Sequence, residues 1–192
     1  ATVDLDAYPQ VAVRSRVTGE DGPPYRFHPG DAVSPLHEFG RGTTVRFTGS
    51  THDEAGFITK HVPTVDALNR HLIDKIEAHR DEIEMVDADR DDGAATLVLG
   101  YGITGGAVRA AVATARSRGE RISGLVLQTL WPVPEAAIAV ALSGVDRVIV
   151  PELNPGLYRR EIERIAGGRS VIGVERVDGE LISPEQILEA AA

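Results

Sequence analysis

Over residues 94–192 short apolar runs alternate with longer stretches in which apolar residues return every three or four positions. A short apolar run bounded by turn residues reads as a buried strand, and the 3.6-residue recurrence reads as a helix. The alternation therefore predicts an α/β fold with a mostly parallel sheet between helices, a three-layer arrangement. Residues 96–99 make the first strand and 104–118 the first helix, with Thr104 as N-cap and Gly119 as its stop. ISGLVLQ at 122–128 is the second strand, followed by a helix over 134–144 with Pro134 in its first turn and Gly144 past its end. RVIV at 147–150 is the third strand, Asn154 caps a helix reaching Ala166, and SVIGV at 170–174 is the fourth strand. Ser183, Pro184 and Gln186 then spell a capping box at the start of the last helix.

Residues 1–93 carry a different pattern. Up to Gly42 the chain is punctuated by proline and glycine, as in GPPYRFHPG and VSPL, with no sustained period, which predicts an extended arm that leans on another surface. TVRFTG, residues 44–49, is a short strand signal. From Val65 onward Leu68, Leu72, Ile76, Ile83 and Val86 recur at helical spacing and predict one connecting helix. The acidic run DADRDDG, residues 87–93, reads as a solvated linker. The expected organisation is an arm with a short strand over 1–63, a helix and acidic linker over 64–93, and an α/β domain over 94–192.

Composition narrows the function. A chain of 192 residues accommodates one well-buried domain and an appendage. No apolar run reaches the roughly 18 residues of a membrane span, and ATVDLDAYPQ is not a signal peptide, so the expectation is a cytoplasmic protein with no membrane partner. Residues 1–93 hold 18 acidic and 10 basic side chains, against 11 and 10 in 94–192, which argues against nucleic acid as a ligand. Cysteine is absent, so cysteine-bound zinc, cysteine-bound iron–sulfur clusters and thiol nucleophiles would have to sit on a partner. The chain begins at Ala1 and its one methionine is Met85, the pattern of a processed product or of a piece of something longer.

Gly100, Gly102 and Gly105 fit G-x-G-x-x-G between the first strand and the first helix. A dinucleotide site also needs an acidic residue at the end of the second strand, and that strand ends in Gln128-Thr129. The three glycines are therefore read as a structural turn that lets the helix approach the sheet, with an anion at the helix N-terminus as the alternative. GSTHDEAG places Ser50, His52, Asp53 and Glu54 together, but contiguous residues do not line up as a triad and there is no G-x-S-x-G elbow. A turn is the simpler reading, with a proton-transfer or metal role for His52 and Asp53 as the alternative. All six histidines, at 28, 37, 52, 61, 71 and 79, fall in the first 80 residues without H-E-x-x-H spacing, and His79 sits on the apolar stripe as a core residue would. Trp131, in TLWPVP, follows the second strand at the edge where parallel sheets place ligands, and also suits an interface anchor.

Taken together, TGSTHDEAGFIT, GYGITGGAVRAAV, TLWPVPEAAI and VPELNPGLYRREIERIAGG resemble the C-terminal part of the α subunit of 2-oxoacid:ferredoxin oxidoreductases, of the 2-oxoglutarate or branched-chain 2-oxoacid type. The resemblance runs from about Tyr25 to the closing ISPEQILEA. It implies a domain similar to the C-terminal domain of transketolase, preceded by a connector. It implies an enzyme that decarboxylates a 2-oxoacid to an acyl-CoA and passes electrons to ferredoxin, with thiamine diphosphate, Mg2+ and a [4Fe–4S] cluster held elsewhere in an oligomeric complex. The implied partners are the thiamine-binding domain of the same α subunit and the β subunit, and the chain alone is expected to be inactive, with no catalytic, cofactor or metal residues of its own. His52, Asp53, Trp131 and Asn154 are the positions expected to face an interface or a neighbouring active site. Where the family usually has asparagine, any residue, glycine and glutamine, this chain has Asn154-Pro155-Gly156-Leu157, so the role of that glutamine is not carried over.

Overall fold

The computed structural model describes residues 14–17, 23–27, 33–40, 42 and 44–192. The chain divides into a first unit up to His79 and a second from Arg80 to Ala192. The DAYPQVAV part of the expected arm, residues 6–13, and His28 lie outside the described residues.

In the first unit two short strands, β1 (Arg16–Val17) and β2 (Leu36–His37), pair in parallel. The helix α1 (Val62–Glu77) begins with Pro63 in its first turn, where a missing N–H costs nothing. Residues 44–48 are not a strand; what forms instead is a tight loop closed by a bridge between His52 and Ile58. The expected single helix also breaks: it ends at Glu77, Ile83 falls in the short helix α2 (Arg80–Ile83), and Val86 opens a strand. His79 is only half-buried.

The second unit is a five-stranded sheet in the order β3-β5-β4-β6-β7, formed by β3 (Val86–Asp89), β4 (Thr96–Tyr101), β5 (Ser123–Leu127), β6 (Arg147–Glu152) and β7 (Ser170–Glu175). β3 runs antiparallel at one edge and the other strands are parallel. Side chains alternate across each strand, so Leu97, Leu99, Leu125 and Leu127 build one core with α4 (Glu135–Ala141) and α5 (Arg159–Ile165). Val98, Val126 and Ile149 build the other with α3 (Thr104–Ser117) and α6 (Pro184–Ala191). Both faces are covered, which is why the parallel strands read as unbroken apolar runs. The capping box of α6 forms in full: Gln186 N–H donates to Ser183 Oγ at 3.3 Å and Ser183 N–H to Gln186 Oε1 at 2.9 Å.

The acidic run is not a linker. Val86–Asp89 pairs with β5, and its carboxylates meet arginines: Asp87 with Arg109 at 2.8 Å and Asp89 with Arg116 at 2.6 Å. Asp91, just beyond, holds Arg121 at 2.6 Å. A charged edge strand discourages pairing with another chain, and its alternating aspartates disguise it as a loop in the sequence.

The glycines after β4 differ in what they permit. A Cβ on Gly100 would stand 2.6 Å from Val108 Cγ2, and one on Gly105 would stand 2.7 Å from Val126 Cγ1, so both allow α3 to lie close on the sheet. Gly102 has φ +53° and open space, and Gly106 has open space. Gly100→Ala and Gly105→Ala should each destabilise by about 1–3 kcal/mol through overpacking, whereas Gly106→Ala should be neutral or stabilise by up to about 1 kcal/mol from helix propensity. Urea unfolding of the three variants checks the order.

Candidate functional site

Three parallel strands, β5, β4 and β6, end side by side, and their following loops carry most of the chemistry of the second unit. Glu152 closes β6 with a side chain fully buried at 0% exposure. Its Oε2 accepts from the Tyr101 hydroxyl at 2.8 Å and from Tyr158 N–H at 2.9 Å, and its Oε1 accepts from Arg159 N–H at 2.9 Å. The carboxyl group thus caps the first turn of α5, where helix N–H groups lack partners. Asn154, expected to cap this helix, does not. It lies five residues upstream, closes a turn by accepting Leu157 N–H at 2.7 Å, and donates from Nδ2 to the Tyr101 hydroxyl at 2.8 Å. Tyr158 stacks obliquely on Tyr101, ring centroids 5.3 Å apart, and donates its hydroxyl to the Leu130 carbonyl at 3.2 Å. One network therefore ties all three loops together.

Burial and the hydrogen bond to Glu152 push the Tyr101 hydroxyl up to about 12, with Asn154 opposing. Burial, the Glu161 charge and Tyr101 push Tyr158 up to about 12 as well. Beside this fixed network stands Trp131, 67% exposed, with Ile103, Leu153 and Leu157 also exposed on the same three loops.

Thr104, expected as the α3 N-cap, instead turns back to β4. Its hydroxyl donates to the Tyr101 carbonyl at 2.7 Å and accepts Tyr101 N–H at 3.3 Å. Thr129, where a dinucleotide-binding sheet would present an acid, donates to the Ile83 carbonyl at 2.5 Å and accepts Met85 N–H at 3.3 Å. The hydroxyls of Thr104 and Thr129 are thus both engaged within the chain.

His52 and Asp53 belong to the first unit. Asp53 Oδ1 accepts the amides of Ala55 and Phe57, each at 3.0 Å, in the turn that the residue types predict. His52 Nδ1 lies 2.9 Å from the Asp53 carbonyl oxygen; a carbonyl only accepts, so Nδ1 carries a proton, and in the neutral ring Nε2 is an acceptor. The His52 ring stacks on Tyr25 at 3.8 Å, and both line a cavity of about 580 Å3 with Phe27, Asp53, Glu54 and Leu68. Tyr25, which sequence reading passed over, holds this corner: its N–H donates to the Glu54 carbonyl at 2.9 Å and its hydroxyl accepts Thr48 N–H at 2.9 Å. Among the described residues no three His, Cys, Asp or Glu side chains gather as a metal site requires. Glu152 was also passed over, although a charged residue closing the buried run VIVPE is itself a signal.

Glu152→Ala would leave three donors without their partner and should cost about 3 kcal/mol or more, at about 1–3 kcal/mol for each buried donor. Asn154→Ala should cost about 1 kcal/mol. Both are measured by denaturant unfolding. The raised tyrosine values stabilise the fold fully below their ordinary value of 10.0, and that contribution is lost as pH rises towards about 12. An ultraviolet titration should show a late-ionising component that disappears in a Tyr101→Phe, Tyr158→Phe double variant.

Residues 94–187 match the pyruvate:ferredoxin oxidoreductase core domain II. The chain is 34% identical over 185 residues to a 2-oxoglutarate synthase subunit, KorA, of Methanothermobacter thermautotrophicus, covering 93% of this chain and 49% of that subunit. It is 29% identical to the ketoisovalerate oxidoreductase subunit VorB of the same organism, covering 94% of this chain and 51% of VorB. The fold matches a 2-oxoglutarate:ferredoxin oxidoreductase from Magnetococcus marinus, solved with 2-oxoglutarate, coenzyme A and succinyl-CoA bound, with a TM-score of 0.76 at 24% identity, over 93% of this chain and 32% of that one. This chain spans about half the length of the curated relatives it matches. The chain thus carries a pyruvate:ferredoxin oxidoreductase core domain II at residues 94–187 and is similar along 93% of its length to a subunit of a 2-oxoacid oxidoreductase.

Proposed function

We propose that the chain is the C-terminal half of the α subunit of a thiamine diphosphate-dependent 2-oxoacid:ferredoxin oxidoreductase, which oxidatively decarboxylates a 2-oxoacid to an acyl-CoA and passes the electrons to ferredoxin. The carrying observation is the 34% identity to a 2-oxoglutarate synthase subunit along 93% of the chain. The lower identity to the ketoisovalerate relative, 29%, favours 2-oxoglutarate as the substrate class. The complex is cytoplasmic and oligomeric in this reading; among the described residues no helix is long and apolar enough to cross a membrane. Thiamine diphosphate, held by another part of the complex, would supply the electron sink that decarboxylation needs. With no cysteine, this chain offers no thiolate ligand to a [4Fe–4S] cluster; in this reading the cluster and Mg2+ belong to other parts of the complex.

What this chain's own residues contribute is position. The Glu152 network fixes the loop that carries Trp131, and the His52–Asp53 turn fixes one wall of the arm cavity. The first unit supplies none of the buried apolar residues among those described, while Phe39, Phe57, Ile58 and Ile73 are exposed. Such a surface suits docking against the thiamine-binding domain and the β subunit. An anion at the α5 N-terminus is disfavoured because that end is capped by the chain's own carboxyl group.

The test is reconstitution with the thiamine-binding part and the β subunit, followed by 2-oxoglutarate- and coenzyme A-dependent reduction of a viologen dye. The complex should turn over and this chain alone should not. Trp131→Ala should weaken assembly by about 2 kcal/mol. Acyl-CoA formation by the chain alone, or a full complex indifferent to every 2-oxoacid, would overturn the reading.

A further inference from the structure

The rings of the first unit form a continuous strip. Phe39 meets Phe47 with centroids 5.5 Å apart, Phe47 meets Tyr25 at 5.8 Å, and Tyr25 meets His52 at 3.8 Å. Phe39 is 75% exposed and Phe47 49%, so the strip is open at one end and runs at the other into the 580 Å3 cavity that Tyr25 and His52 line. A pocket at the end of an exposed aromatic surface is where interfaces seat an anchoring side chain.

The polar groups around this cavity select the anchor's chemistry. The Tyr25 hydroxyl is engaged with Thr48, and the Thr64 hydroxyl is paired with His61 Nδ1 at 2.9 Å. Pro63, in the first turn of α1, has no N–H to offer. The neutral His52 ring presents Nε2 as an acceptor, because Nδ1 donates to the Asp53 carbonyl. Asp53 keeps Oδ2 beyond the two amides that share Oδ1, and Glu54 is joined to Arg26 at one oxygen, at 3.3 Å, leaving the other. The unit is acidic too, with 11 acidic against 8 basic side chains in residues 1–79. Acceptors between aromatic walls fit a planar cation with several N–H donors, which stacks on rings and hydrogen-bonds at its edge.

We infer that this cavity is a docking pocket for an arginine side chain on a basic segment of the polypeptide that covers the arm in the assembled complex. The inference rests on the reading of the first unit as a docking arm. Its test requires no oxidoreductase activity, so its failure and a failed reconstitution are told apart.

The 192-residue chain is titrated with N-acetyl-arginine methylamide, N-acetyl-leucine methylamide and n-butylammonium, with the ring resonances of His52 and Tyr25 followed by NMR. The arginine derivative should shift both rings saturably, the other two should not match it, and a variant with Asp53→Asn and Glu54→Gln should bind it about tenfold or more weakly. Asparagine keeps the Oδ1 acceptor for the Ala55 and Phe57 amides, so an unchanged backbone amide spectrum elsewhere shows that the loop is still built. Equal binding of the leucine derivative would make the pocket apolar in its choice. Equal binding of n-butylammonium would make it a site for small amines, and no saturable shift with any probe would make it no site. Each of these three results overturns the inference.

Discussion

Glu152 ends β6 where no water reaches it, and its two oxygens must find donors inside the fold. They find the first amides of α5 and the hydroxyl of Tyr101 at the end of β4. The helix start, which needs an acceptor, and the buried carboxyl group, which needs donors, satisfy each other. From this exchange follow the position of α5, the orientation of Tyr101 and Tyr158, and through Tyr158 the Leu130 carbonyl next to Trp131. Carboxyl edges of parallel sheets commonly hold ligands; here the position at α5 is filled from within, and the loops become a fixed platform.

The two units divide the physical work. Every buried apolar residue among those described lies between Ala94 and Ile187, on the two faces of the β3–β7 sheet. The first unit has local order without such a core: the Asp53 turn, the Tyr25 and His52 stack and a helix with no fully buried residue. Apolar surface of this kind reaches a stable arrangement when something else covers it. That is the physical content of calling it an arm, and it agrees with a chain that matches about half of each curated relative.

The sequence showed most clearly what repeats and what packs. Strands β4, β5 and β6 were visible as apolar runs because both faces are buried, the half-buried edge strand β7 because SVIGV is still apolar, and the α6 capping box because its partners sit three residues apart. The edge strand β3 was hidden, since its stability comes from backbone pairing and from arginines more than 20 residues away, which a local reading of DADRDDG cannot anticipate. The α5 cap was misplaced for a related reason. Asn154 has the right chemistry near the helix, but Glu152, held back at the strand end, reaches the free amides. At the expected site residues, the turn role of Asp53 followed from residue type, whereas the cavity that His52 lines depends on Tyr25 and α1, brought together only by folding.

Hydrogen exchange, read on the chain alone and in the assembled complex, tests this division most directly. The account predicts slow exchange in both states for the amides of β4, β5 and β6 and for Tyr158 and Arg159. It predicts that residues 44–79, folded but uncovered in the chain alone, exchange faster there than those amides and slow on assembly. Equal protection of residues 44–79 in both states would contradict it, because assembly would then cover nothing in the first unit.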